Sequence, residues 1–238
     1  RVAIDKIIPD VDSGRFAAKA IINQPTRIAA DIICDGDEVL TCSLHNRGPN
    51  RDSWTAIPLT NKGNDRWESH FTPDRLGIWE YTVSAGVDRF QTWLRDLKRR
   101  SESGDDLRGE LAEGHRLLEG VLANAPVLVA DQLQQIQGSL IGPKGYMTAC
   151  SNHLASLVAL YEDRSEDTWL DTRRRMCVER KQAAFSAWYE AFPRSWGIAG
   201  KHGTLRDLAN STDYIAAMGF DVLYLPPIHP IGKSFRKG

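Results

Sequence analysis

Phe220 to Leu225 is a nearly unbroken apolar run that ends at Pro226-Pro227. A short apolar run stopped by residues without an amide N–H predicts a parallel strand buried on both faces. The residues before it fit a crossover. Thr204 can cap a helix whose third position is Asp207, and Leu205, Leu208, Ile215 and Met218 recur near helical spacing until Gly219 stops it. Further upstream, residues 187 to 192 are mostly apolar and aromatic and end at Pro193, a second strand signal. Strand, helix, strand in this order is the right-handed unit of a parallel sheet. It places both strand ends, Phe192 to Ser195 and Pro226 to Gly238, on the face where barrel active sites are built.

The first 88 residues carry a different period. Alternation runs through Arg27 to Ile33, Leu40-Cys42-Leu44, residues 54 to 59, Trp67-Ser69-Phe71 and Trp79-Tyr81-Val83, with Asn61-Lys62-Gly63-Asn64 as a hairpin turn. Several short strands between turns predict an antiparallel β-sandwich. Trp54, Trp67 and Trp79 could offer aromatic surfaces to a sugar, but tryptophans that alternate along strands more commonly fill a core.

From residue 89 the period becomes helical. Ser103 to Asp106 offers N-caps, Leu107, Leu111, Leu118, Val121 and Leu122 form one stripe, and Val129, Leu133, Ile136 and Leu140 form another. Further helices are predicted over Asn152 to Tyr161 and Asp167 to Arg180, with Gly142-Pro143-Lys144-Gly145 as a turn. This reads as a small helical bundle over residues 89–176, inserted in a sandwich (1–88) that about 177–188 completes through Ala184 to Tyr189.

Charge and cysteine usage exclude some classes. The chain has a net charge of −1 and a pI near 6.7, so it lacks the clustered excess of Lys and Arg that nucleic acid or acidic lipid requires. Its basic knots, Lys98-Arg99-Arg100 and Arg173-Arg174-Arg175, read as exposed helix faces balanced by nearby acids. Cys34, Cys42, Cys150 and Cys177 are scattered, which fits a reducing cytoplasm and gives no metal spacing. His202 and His229 lack further ligands, and no apolar stretch reaches membrane-spanning length. Gly232-Lys233-Ser234 copies the end of a phosphate loop without the glycine five residues earlier, where Pro227 stands. Gly197, Gly200 and Gly203 read as a flexible strand-to-helix connection.

The segments Glu190 to Gly197, His202-Gly203-Thr204 and Gly219 to Gly238, with the long Pro-Pro-Ile-His-Pro-Ile-Gly run, resemble the start of the catalytic domain of the bacterial maltosyltransferases of the α-amylase superfamily (glycoside hydrolase family 13). The resemblance spans the whole chain, although only the last fifty or so residues carry sharp motifs. It implies a multidomain α+β architecture: an Ig-like antiparallel sandwich, an inserted helical S domain, and the first β-α-β of a truncated (β/α)8 barrel over 189–238. It also implies transfer of maltosyl units from α-maltose 1-phosphate to the non-reducing end of an α-1,4-glucan by a retaining double displacement. The resemblance further implies a homodimer through the N and S domains and no cofactor. The catalytic carboxylates are expected beyond residue 238, because the family's Asp-x-x-x-Asn-His and Gly-x-Arg-x-Asp segments do not occur and Asp207, Asp213 and Asp221 do not replace them. No catalytic residue and no metal ligand is therefore assigned within these residues, which are expected to be inactive alone. Lys237 matches the lysine that reaches the donor sugar. Two alternatives stay open: another amylase-type glucan hydrolase or transferase, and a non-catalytic glucan-binding or dimerisation module.

Overall fold

The computed structural model describes residues 2–229 and 232–235. They form a mixed α/β chain that divides into two compact units, one through Val178 and one from Glu179.

The first unit contains two sheets. One is ordered β1 (Val2–Ile8), β3 (Thr26–Cys34), β7 (Arg66–Phe71) and β6 (Thr60–Asn61), all paired antiparallel. The other runs β2 (Ala18–Ile21), β10 (Arg174–Glu179), β8 (Gly77–Val87), β4 (Leu40–Arg47) and β5 (Thr55–Pro58), with β9 (Thr168–Trp169) also on β8. Alternation explains why these segments are strands. Ile28, Ala30 and Ile32 of β3 and Trp79, Tyr81, Val83 and Ala85 of β8 point into one shared core, while their neighbours point away. Phe71 and Trp79 meet across the two sheets at 5.5 Å between ring centroids. Each large side chain buried there contributes about 1.5–3 kcal/mol. Trp67 and Trp79 are thus core residues, as the alternation suggests, and Trp79 donates its indole N–H to the Arg75 carbonyl at 3.1 Å. The turn over residues 62–65 joins β6 to β7, with Asn64 and Asp65 in the left-handed region.

The helical segment lies between β8 and β9: α1 (Arg89–Ser103), α2 (Arg108–Asn124), α3 (Val127–Leu140), α4 (Gly145–Ala149) and α5 (Asn152–Tyr161). Asp88 caps α1 by accepting the Gln91 N–H at 2.8 Å, and Gly104 ends it in the left-handed conformation. Phe90, Trp93, Leu94 and Leu97 bury one stripe of α1 against Leu118, Leu133, Leu140 and Leu154 of the other helices. The helix over 152–161 and the turn over 142–145 form as their sequence signals predict. The cap candidates at 103–106 do not cap α2 by a side chain in the usual way: Leu107 occupies the N-cap, and Asp106 accepts the Arg108 N–H at 3.1 Å.

The helix predicted over Asp167 to Arg180 is not one. Those residues form β9 and β10, and β10 pairs antiparallel with β8 from Arg174↔Tyr81 to Val178↔Gly77. Period two wins because Arg174, Met176 and Val178 all face inward. The buried guanidinium of Arg174 is tolerated because Asp10 accepts from it at 3.1 and 3.3 Å and the Thr172 carbonyl accepts as well. The chain therefore begins its return to the sheet at β9 and completes it along β10, which ends at Glu179.

In the second unit, β11 (Trp188–Glu190) pairs in parallel with β12 (Val222–Tyr224), and no other strand joins them among the described residues. Between them lie α6 (Leu205–Ala209) and α7 (Thr212–Ala217) instead of one helix. The Ser211 hydroxyl donates to the Asp207 carbonyl at 3.1 Å and the Thr212 hydroxyl to the Ala209 carbonyl at 2.8 Å, local bonds that compete with a continuous helix. Among the described residues no helix is long and apolar enough to cross a membrane.

Candidate functional site

In a parallel strand–helix–strand unit the loops at the C-terminal strand ends are where chemistry is placed. Here that end is fixed by backbone contacts. Ala191 N–H donates to the Tyr224 carbonyl at 3.0 Å, continuing the ladder past β11, and Gly203 N–H donates to the Arg194 carbonyl at 3.0 Å. Between those two bonds the chain makes a 3-10 turn at Pro193–Trp196 and then doubles back. Gly197 and Gly203 are in direct contact, each leaving no room for a Cβ on the other. The glycines that read as a flexible connection are thus a tight backbone crossing, and only Gly200, at φ +83°, carries a positive φ among the three. Thr204 and Asp207 then form a full capping box, and the Thr204 hydroxyl and N–H hold the Asp207 carboxyl below the usual range.

The two faces of the strand pair differ. Tyr189, Leu223 and Leu225 pack with Trp196, Leu208, Ile215 and Phe220 toward the helices. Tyr189 meets Phe220 edge-on at 5.0 Å. Trp188, Glu190 and Tyr224 are exposed on the opposite face, with the Trp188 and Tyr224 rings 6.4 Å apart. Among the described residues, the loops at the C-terminal end expose Arg194, Lys201, His202, His229 and Lys233, and the end of β11 exposes the carboxylate of Glu190. Such a rim favours an anionic ligand. Asp221 is not available there: it accepts the Ala187 N–H at 2.9 Å at the other end of β12. Lys237, the residue the resemblance assigns to the donor sugar, lies outside the described residues, as do Pro230 and Ile231 of the long proline motif. Sequence reading passed over Glu190, Arg194 and Lys201; their position just past a strand end was the available signal. Among the described residues no cluster of three or more His, Cys, Asp or Glu could hold a metal ion.

The first unit has a cavity of about 590 Å³ where the chain enters and leaves the helical segment, lined in part by Gly86, Arg89, Arg116, Glu162 and Asp167. Arg164 ties the two crossings together: its Nη2 is 2.7 Å from Glu162 and 3.8 Å from Asp88. Burial pushes the carboxyls of Glu162 and Asp167 up, with Arg164 opposing. No aromatic ring lines this cavity, and the charge of Arg164 opposes its acids Glu162 and Asp167.

The model of the family described as alpha-1,4-glucan:maltose-1-phosphate maltosyltransferase, domain N/S, matches residues 1–180. Among curated proteins, the chain is similar to proteins named alpha-1,4-glucan:maltose-1-phosphate maltosyltransferase from three organisms. That of Chlorobaculum tepidum is 38% identical over 242 residues, covering 100% of this chain and 36% of the relative. That of Myxococcus xanthus is 37% identical over 249 residues, covering 100% and 37%. That of Methylacidiphilum infernorum is 38% identical over 241 residues, covering 100% and 36%. The chain thus spans little more than a third of the length of these relatives.

Proposed function

We propose a function from one premise: the chain belongs to the family of alpha-1,4-glucan:maltose-1-phosphate maltosyltransferases, through their N/S domain. It serves the transfer of maltosyl units from α-maltose 1-phosphate to the non-reducing end of an α-1,4-glucan, by a retaining double displacement. The observation that carries this reading is the match over residues 1–180 followed by a parallel β-α-β unit with a cation-rich C-terminal rim.

In this reading the two sheets are an Ig-like β-sandwich N domain, residues 1–88 plus the returning strands β9 and β10. Helices α1–α5 are the S domain, and residues 189–238 open a (β/α)8 barrel whose remaining strands carry the nucleophile and the acid. The exposed face of Trp188, Glu190 and Tyr224 then becomes barrel interior. Lys237 donates to the hydroxyls of the donor sugar, and its charge, with the rim of Arg194 and Lys201, favours the sugar phosphate. A homodimer through the N and S domains and a cytoplasmic location, in keeping with four free cysteines, complete the proposal.

The test is donor chemistry. The complete product of the gene encoding these residues is incubated with α-maltose 1-phosphate and maltohexaose. Inorganic phosphate release that depends on acceptor supports the reading. Release of reducing sugar from glucan without any phosphate identifies a hydrolase and refutes it.

A further inference from the structure

We propose that the solvent face of the β10-β8-β4 sheet carries a glucan-binding shelf, separate from the barrel rim, on which the indole of Trp169 stacks one sugar ring. Register places the shelf. Trp169 pairs with Ser84, whose neighbours Val83 and Ala85 fill the core, so Trp169 and Ser84 share the outer face. His45, paired with Thr82, lies on that face too and stacks on Trp169 at 4.4 Å with a 36° tilt. The imidazole is fixed from below by a 2.9 Å hydrogen bond between His45 Nε2 and Ser84 Oγ. Trp169 is nevertheless 50% exposed. The result is an immobilised ring, backed on one side and open to solvent, rather than a loose surface side chain.

Polar donors flank it at a fixed distance. Arg173 immediately precedes the pair Arg174↔Tyr81, which puts it about two residues, or about 7 Å, along β8 from Trp169. The guanidiniums of Arg173 and Arg47 both lie over the Trp54 ring, at 5.3 and 4.8 Å, so Trp54 serves to hold their N–H groups in place. Arg47 also donates through Nε to Glu80 at 3.1 Å, which offsets its charge. Burial lowers the His45 pKa, which keeps the backing imidazole neutral at pH 7. A flat, half-exposed ring beside the guanidiniums of Arg173 and Arg47, the latter held by Glu80, suits a neutral polyol better than a phosphate chain or a greasy helix. The choice of an α-1,4-linked glucan rests on the function proposed above; the shelf itself rests on these contacts. Such a site would hold a polymeric acceptor near the enzyme between turnovers.

Isothermal titration of the 238-residue chain with maltoheptaose, and mobility in native gels containing glycogen, test this. Trp169→Ala is expected to weaken binding more than about fivefold, and Arg173→Ala about two- to threefold. Trp169→Phe, which keeps a ring, should stay within about twofold, and all three should keep the parent's thermal midpoint to within a few degrees. The shelf is overturned if the chain does not bind maltoheptaose at millimolar concentration, if Trp169→Ala binds as the parent does, or if cellohexaose or an oligonucleotide competes equally. Absence of maltoheptaose binding by the parent chain, with maltosyl transfer intact in the complete gene product, would remove the shelf alone. Binding without transfer in the complete gene product would remove the enzymatic reading and leave the shelf.

Discussion

The backbones of Gly197 and Gly203 touch: a Cβ on either would lie 2.5 Å from the other's amide nitrogen. This crossing sets the course of the loop that carries Arg194, Lys201 and His202. Gly203→Ala must push backbone apart and should lower unfolding stability by about 1–3 kcal/mol. Gly200→Ala has open space and only an unfavourable φ of +83°, and should cost about 1 kcal/mol. Urea unfolding followed by the fluorescence of the second unit's tryptophans separates them. Equal costs would show that the crossing does not constrain the loop.

Two glycines on α2 make an opposite pair. A Cβ on Gly114 would sit 2.1 Å from the indole of Trp93, whose Nε1 donates to the Glu110 carbonyl at 2.8 Å, so neither partner can yield. Gly120 meets nothing within 4 Å. Gly114→Ala should destabilise the helical segment by about 1–3 kcal/mol, while Gly120→Ala should stabilise it by about 0.5–1 kcal/mol. Helical circular dichroism against temperature reads both, and the same sign for the two variants would refute the packing described.

Much of this fold is written in side-chain period. Ile28-Ala30-Ile32 and Trp79-Tyr81-Val83 announce strands because each inward residue is apolar, and Leu154, Leu157 and Val158 announce α5 for the matching reason. Residues 167–180 mislead because Arg174, a core-facing position of β10, is charged; its carboxylate partner Asp10 lies 164 residues away, and no local window contains it. The single helix predicted after Thr204 divides because Ser211 and Thr212 bond back to preceding carbonyls, a competition invisible to apolar spacing. Trp169 gave no signal since its strand is two residues long and its partners, His45 and Ser84, come from β4 and β8.

The junction predicts a pH effect. Burial raises the Glu162 carboxyl above its ordinary value, so the folded state holds this proton more tightly than the unfolded one. Stability from this group is then greatest at low pH and falls as pH rises through the ordinary glutamate range and on through the raised folded value. Glu162→Gln keeps an acceptor for Arg164 without the buried charge. It should raise the urea midpoint at pH 7 relative to the parent and shrink that gain toward pH 4. A variant less stable than the parent at pH 7 would mean that the Arg164 ion pair outweighs desolvation.

Cys42, in the core, has its thiol pushed up to about 12, chiefly by burial. Cys150 and Cys177 are only part-buried. With an aromatic disulfide reagent at pH 8, Cys42 should react last and at the rate of global unfolding, while denaturant should expose all four thiols at once. Fast labelling of Cys42 in the native chain would contradict the two-sheet core around it.

The central claim is tested most directly by mass spectrometry of acceptors. Maltohexaose incubated with α-maltose 1-phosphate and the complete gene product should yield a ladder lengthened by two glucose units per step. A ladder of single units, or only products shorter than the acceptor, would contradict maltosyl transfer.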